Sequence, residues 1–456
     1  MGNENVELMR GQPETAVRKL AIPIMISMLL TASYNIIDGI WVVGLGESAI
    51  AAIGFVTPVF MILNGISNGI GSGATSSIAR AVGSNDHDRV SKTATQSLFL
   101  ILLVSVFLTV VILIIQEPVL SLCGAKGETL TDAVTYSTPL FLGLAGIMFS
   151  NGCSGILRGE GDMKRAMYAT IVSVVINAIL DPLLIYFLDW GVMGAALATV
   201  FSSLFSAALI LYWILIKKDT YANIGFKDFT IDTGIIKDIL KVGIPSSFEM
   251  VVIYVAMSIH VIIIAMVGGD FGVASFTSGH KFYSLAILPF TAIGAAVVAV
   301  VGTAYGAQNG EYISRAHLYG AKFGVKFGLV ITLILVVFAN QLAYVFAYTP
   351  ETRHLIPGIA LYLQVACLCL PFTGAGMTSS FYYQGIGRGT ISLMFSILKE
   401  LIFIVPFIYV LGVVLDWGLL GVWIGMAGGR SLACILNYSF ARWSIRKISN
   451  KMEKIE

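Results

Sequence analysis

Four oxygen-bearing side chains, Asp38, Asn177, Asp181 and Thr199, lie inside stretches otherwise apolar enough to cross a bilayer. An acid at the centre of a membrane helix costs about 2.5–3.5 kcal/mol on insertion scales, so function is the usual reason to keep one. Asn177 and Asp181 are four positions apart and share one helix face. Two carboxylates, an amide and a hydroxyl are hard oxygen donors suited to a small cation. The acids could instead share protons, because two nearby carboxyls in a low-dielectric site do not both ionise cheaply. Either event removes net negative charge. Pro23 precedes Asp38 by fifteen positions in the same run. It lacks a backbone donor and crowds the preceding turn, which predicts a bend. A titratable acid and a hinge on one membrane helix suggest a part that moves when its charge is neutralised.

The elements that position these groups follow from composition. The chain has 456 residues, 57% hydrophobic and only 12% charged. A soluble domain carries about 25% charged residues. About twelve apolar runs reach spanning length, from 18–42 to 418–443. Each must be helical, because the bilayer core offers no water to backbone groups. The fold class is therefore an all-α polytopic membrane protein. A net charge of +2 gives no signature for nucleic acid. The five cysteines, Cys123, Cys153, Cys367, Cys369 and Cys434, form no CxxC pair and suggest neither a disulfide framework nor a metal cluster. Met1 to Glu14 is polar and lacks the features of a signal peptide, so the first apolar run is expected to stay as an anchor.

Lys and Arg cluster in alternate loops, among them Arg10, Arg18, Lys19, Arg80, Arg89, Arg158, Lys164, Arg165, Lys217 and Lys218, whereas the opposite loops carry Lys126 and Arg353. The positive-inside rule then predicts cytoplasmic N- and C-termini. Trp41, Trp190, Trp213, Trp417 and Trp443 fall near span ends, as an aromatic belt does.

The chain repeats itself. Leu20-Ala21-Ile22-Pro23 recurs as Val242-Gly243-Ile244-Pro245, Ala81-Val82-Gly83 as Ala304-Tyr305-Gly306, Arg158-Gly159-Glu160-Gly161 as Gln384-Gly385-Ile386-Gly387, and Leu188-Asp189-Trp190-Gly191 as Leu415-Asp416-Trp417-Gly418. The offset drifts slowly from 245 − 23 = 222 to 415 − 188 = 227. This predicts an N-lobe over 1–216, a linker over 217–235 lying along the cytoplasmic surface, a C-lobe over 236–443 and a cytoplasmic tail over 444–456. Six-helix repeats of this kind characterise transporters with alternating access about a midplane site. Under these offsets Asp38 maps to His260, while Asn177, Asp181 and Thr199 map to Ile404, Ile408 and Met426. The acid-rich cluster is thus private to the first half.

Other candidates are weaker. Glu249 lies four residues after Pro245 and reads either as a second coupling acid or as a lone acid reaching water. His260 titrates near neutral pH, which allows a second proton site, although a lone histidine on an apolar helix is more often hydrogen-bonded core. Lys399 and Glu400 are adjacent, about 100° apart on an α-helix, so a salt bridge across helices is expected rather than a pair with each other. Lys281 reads similarly. Gly65-Ile66-Ser67-Asn68-Gly69 matches a hydrolase elbow, and Gly69-Ile70-Gly71-Ser72-Gly73 a nucleotide fingerprint. Neither follows a strand, and small residues within a membrane helix instead permit close helix approach.

At these residues the sequence resembles the multidrug and toxic compound extrusion (MATE) family, especially its archaeal, DinF-like branch. The resemblance covers essentially the whole chain. It rests on Ile22-Pro23, the run from Tyr34 to Trp41, Gly155 to Asp162, Asn177 to Pro182, Gly243 to Ser247 and Gln384 to Gly387. It implies a V-shaped, two-lobe MATE fold of 12 transmembrane helices. It also implies a secondary antiporter, not an enzyme, that exports amphipathic or cationic drugs against inward flow of H⁺ or Na⁺. By the same resemblance, Asp38, Asn177, Asp181 and Thr199 form the ion site and would be the Na⁺ ligands. Pro23 is the hinge, and Tyr34, Asn35, Tyr136, Asn151 and Ser154 line or adjoin the drug cavity. Ser154 stands where the family pattern expects Asn. The chain is expected to work as a monomer in the plasma membrane, surrounded by lipid, without a cofactor beyond its coupling ion. The alternative is a flippase for lipid-linked intermediates. That reading calls for a basic cavity, and only Lys281, Lys399 and Arg430 fall deep within spans.

Overall fold

Backbone groups that cannot reach water bond within their own segment, and each apolar run is a helix. The computed structural model describes residues 2–45, 47–225 and 230–454. A short helix α1 (Gly2–Arg10) is followed by α2 (Pro13–Val43), α3 (Glu47–Gly83), α4 (His87–Leu122), α5 (Gly127–Leu142), α6 (Leu144–Gly159), α7 (Met163–Pro182) and α8 (Gly191–Leu211). After the linker, residues 226–229 of which lie outside the described residues, come α9 (Thr233–Gly306), α10 (Gly310–Val337), α11 (Ala339–Phe346), α12 (Ile356–Val365) and α13 (Leu370–Gly385). The chain closes with α14 (Gly389–Ile397), α15 (Val405–Tyr409) and α16 (Gly418–Met452). Wider π-turns extend several of these, at Leu183–Phe187, Tyr212–Lys217, Leu398–Ile404 and Val410–Val414.

Ten helical segments are long and apolar enough to span a bilayer alone, and α5 with α6 makes one more, bent by 49°. α9 is two helices joined at Gly269, whose φ of 55° breaks the helix, so it counts twice. Twelve spans follow, 10 + 1 + 1, among the described residues. α2 continues through Pro23, which leaves the Lys19 carbonyl without its usual intrahelical donor.

Packing divides the chain into two compact units, Met1–Gly11 with Ile22–Ser247 and Gln12–Ala21 with Phe248–Glu456. Of the three boundaries, one falls between Gly11 and Gln12, one beside Pro23 and one two residues after Pro245. The backbone carries the internal repeat more sharply than the sequence does. Asp189 and Asp416 both take the left-handed conformation at φ 54°, Asn85 and Gln308 at φ 57° and 56°, and Gly161 and Gly387 at φ 78° and 76°. Non-glycine residues seldom adopt this region, so its recurrence at offsets of 223 to 227 is a property of a duplicated fold. Asp86 caps α4 by accepting from the Arg89 N–H, and Asn309 caps α10 by accepting from the Tyr312 N–H.

In the first unit, glycine brings backbones together. α3 packs on α6, where a Cβ on Gly155 would meet the Gly71 carbonyl oxygen and lie 2.7 Å from the Gly71 Cα. Gly69 and Gly73 face α9 in the same way, near Gly243 and Ile239. Ser67 donates to the Met148 carbonyl at 2.8 Å, and Thr75 to the Gly155 carbonyl at 2.7 Å. The glycine-rich stretches are packing surfaces, and Ser67 is a structural donor. In the second unit, Trp423, Tyr362, Phe276, Phe290, Ile404, Ile408 and Met426 are buried together.

The linker is tied to the first unit by charge. The Glu160 carboxylate accepts from the backbone N–H of Tyr221 at 2.9 Å and of Ala222 at 3.1 Å, and Arg165 pairs with Asp219 at 2.6 Å and Asp162 at 3.4 Å. Burial pushes the Glu160 carboxyl up to about 7, against the two N–H bonds that favour its ionised form. A carboxyl raised from 4.5 in this way stabilises the folded chain most below about pH 4.5, and that contribution is lost as pH rises through about 7. Glu160→Gln removes the dependence. In thermal melts between about pH 4.5 and 8, the wild type should lose about 3 kcal/mol relative to this variant. Parallel curves for the two proteins would contradict that.

Candidate functional site

Four helices of the first unit converge on the acids. α2 carries Tyr34 and Asp38, α5 carries Tyr136, α7 carries Asn177 and Asp181, and α8 carries Thr199. The helical i,i+4 spacing works as expected, with the Asn177 Nδ2 donating to Asp181 Oδ1 at 3.2 Å. The Thr199 hydroxyl donates to the Ala195 carbonyl at 3.2 Å, and Tyr34 lies beside it. Asp38 and Asp181 lie within electrostatic reach of each other and of both tyrosines. Asn177 and Asp181 are buried, at 2% and 0% exposure. The four expected ion residues and two of the expected cavity residues, Tyr34 and Tyr136, therefore lie near one another in the first unit.

The pocket is short of donors. Asp38 Oδ1, Asn177 Oδ1 and Asp181 Oδ2 are buried acceptors without a hydrogen-bond partner. Buried acceptors are normally satisfied, and a buried carboxylate is normally paired. Among the described residues neither acid has a Lys or Arg partner. Three buried oxygens, on Asp38, Asn177 and Asp181, thus lack donors, and a small cation or bound protons are the species that satisfy acceptors of this kind. Beside it, Val42, Ile185 and Ala195 pack with Trp41, Leu45, Ile53 and Tyr136 in an apolar cluster.

The remaining candidates have separate surroundings. Asn151 donates to Asn64 Oδ1 at 3.0 Å, and Asn64 donates to the Phe60 carbonyl at 3.0 Å. The Ser154 hydroxyl is bonded to its own helix at the Ser150 carbonyl. Asn35 is exposed on α2. Glu249 and His260 belong to the second unit. Glu249 lies near Ser392 and Lys399, while the buried His260 lies near Glu400 and Arg430. Lys399 and Glu400 do pair with each other, at 3.1 Å, contrary to expectation for adjacent residues on an α-helix. They lie in the π-turn Leu398–Ile404, whose i→i+5 winding differs from the α-helical spacing assumed for them, and the long lysine chain wraps back. The cross-helix bridge also forms, from Arg430 to Glu400 at 3.9 Å. Lys281 instead sits 4.8 Å over the Phe346 ring.

Two contacts are not legible in the sequence. Asn64 gains meaning only through Asn151. The Tyr186 hydroxyl donates to the Trp41 carbonyl at 2.5 Å, three residues beyond Asp38. Tyr186 is aimed there by the π-turn Leu183–Phe187 that follows Asp181-Pro182. It thus ties the helix bearing Asp181 to the end of the helix bearing Asp38. Tyr186→Phe keeps the ring and removes the tie, at a cost of about 1 kcal/mol. Ion dependence of transport should weaken by up to about tenfold, read as a shift in the half-saturating ion concentration. An unchanged half-saturation would make the bond incidental.

A twelve-helix duplicated membrane fold with a donor-poor acidic pocket in one half defines a secondary transporter. The MatE family model matches residues 23–183 and 245–410, and the chain belongs to this family. It is similar to the multidrug export protein MepA of Staphylococcus aureus, at 25% identity over 89% of this chain and 88% of that protein. It is also similar to the probable multidrug resistance protein NorM of Thermotoga maritima, at 24% identity over 94% and 93%. Among solved structures, the outward-facing conformation of a multidrug resistance MATE family transporter matches with a TM-score of 0.95 and 38% identity over 98% of this chain and 99% of that one.

Proposed function

We propose that this chain is a multidrug exporter driven by inward flow of a monovalent cation, H⁺ or Na⁺, through the Asp38–Asn177–Asp181–Thr199 pocket. The observation that carries the reading is the set of three buried acceptor oxygens, two of them on acids without a cationic partner. The export and resistance roles named for MepA and NorM support multidrug export, and amphipathic or cationic compounds are the substrate class the sequence resemblance implies. Ion entry neutralises Asp38 and Asp181, reshapes α2 about Pro23 and expels substrate held near Tyr34, Asn35, Tyr136, Asn151 and Ser154. Both termini face the cytoplasm of the cell membrane. The membrane potential supplies about 2.3 kcal/mol per charge per 100 mV, roughly fiftyfold accumulation. The flippase reading is disfavoured, because Lys399 and Arg430 are both engaged by Glu400 and Lys281 lies on an aromatic ring.

The test is drug efflux from proteoliposomes with pH and Na⁺ gradients imposed separately. Efflux on the pH gradient alone makes the acids a proton site. Efflux requiring Na⁺ makes the four residues an oxygen cage, and Thr199→Ala then weakens it. Efflux on neither gradient overturns the reading.

A further inference from the structure

α16 ends unlike the helix it duplicates. Leu188-Asp189-Trp190-Gly191 recurs at an offset of 227, so α8 with its π-turn, 191–217, corresponds to 418–444. In the first unit the helix stops there. Lys218 takes the left-handed conformation at φ 49°, and Lys217 pairs with Asp219 at 3.1 Å. α16 runs on to Met452, a further 452 − 444 = 8 residues. Its 35 residues make about 52 Å of helix, against a hydrocarbon core of about 30 Å. The extension carries Arg446, Lys447 and Lys451, all exposed. Among the described residues no carboxylate pairs with them. Glu453, at the C-cap, lies about 120° round the helix axis from Lys447.

These cations continue an apolar stripe. Leu432, Leu436, Phe440, Trp443, Lys447 and Lys451 follow one another at steps of three or four, the spacing of one helix face. The first four are 38–56% exposed, while Asn437, Ala441, Ser444 and Ile445 on the other side of the helix are buried. The Trp443 ring packs on Phe440 at 5.3 Å, and Lys447 Nζ lies 5.3 Å over the Trp443 ring. Along its length the face changes from aliphatic to aromatic to cationic. A phospholipid changes from acyl chain to glycerol to phosphate in the same order, and tryptophan favours the level between.

We propose that this face binds one anionic phospholipid, its phosphate held by Lys447 and Lys451, its glycerol at Trp443 and an acyl chain along Leu432, Leu436 and Phe440. Arg446, on the flank, adds attraction. Charge selects the lipid class, because a zwitterionic headgroup brings an ammonium of its own towards three cations. The stripe selects a lipid over a soluble anion, because a free anion gains nothing from its apolar part.

The test is native mass spectrometry of the delipidated full chain in neutral detergent, titrated with phosphatidylglycerol or with phosphatidylcholine of the same acyl chains. Wild type should take up the first phosphatidylglycerol about thirtyfold more tightly, near fivefold for each of two lysines. Lys447→Gln with Lys451→Gln should abolish that preference, and Lys447→Arg with Lys451→Arg should keep it. Arg89→Gln with Lys92→Gln removes the same charge from exposed residues at the start of α4 and should also keep it. Equal uptake of the two lipids by the wild type overturns the proposal. So does an equal loss in the two glutamine variants, which would mark a diffuse effect of net charge. Displacement of the lipid by millimolar inorganic phosphate would mark a site for the free ion, and overturns it as well.

Discussion

Asp38→Asn abolishes ion-driven export and leaves a folded, membrane-inserted protein. The amide has the volume of the carboxylate, so packing is retained. Removing an unpaired buried charge leaves stability unchanged or raises it. What is lost is the charge-assisted contact to the incoming ion, worth about 2–3 kcal/mol, or roughly 30- to 150-fold in ion affinity. If the ion is a proton the loss is complete, because an amide does not titrate in this range. Efflux from proteoliposomes reads the transport, and a thermal melt reads the fold. Full gradient-driven efflux by the variant would refute the assignment of Asp38, and a collapsed melting curve would make it a structural residue.

Gly155→Val should unfold the first unit. A Cβ there meets the Gly71 carbonyl oxygen, which is backbone and has no rotamer by which to move aside. The same contact supports the Thr75 bond to the Gly155 carbonyl and holds α6 where Asn151 reaches Asn64. Overpacking a close backbone contact costs about 3 kcal/mol or more. The purified yield and thermal midpoint should both fall sharply, with transport lost as a consequence. Gly54→Ala is the control. A Cβ at Gly54 meets nothing within 4 Å, and alanine in a helix interior gains about 0.5–1 kcal/mol over glycine. Equal behaviour of the two variants would contradict the packing account.

Sequence alone determined what depends on single segments. Twelve helices follow from apolar length, because the bilayer core admits only helices and closed barrels, and continuous apolar runs of this length are helices. Two homologous halves follow from recurrent tetrapeptides, and Leu-Asp-Trp-Gly recurs with the same left-handed turn at Asp189 and Asp416. Asp38, Asn177, Asp181 and Thr199 stood out as candidates because an acid or its partner in an apolar run is costly wherever that run packs. The tertiary structure decided everything that depends on helix rotation and depth. Which oxygens remain without donors, the aim of Tyr186 at the Trp41 carbonyl, the pairing of Asn64 with Asn151, and the meeting of Lys399, Glu400 and Arg430 all required it. Two of these pass through π-turns, which change the angle between successive side chains and defeat α-helical spacing rules. A burial cost is local and can be read one residue at a time, whereas a partner across a helix interface is set by how closely glycine lets two backbones approach.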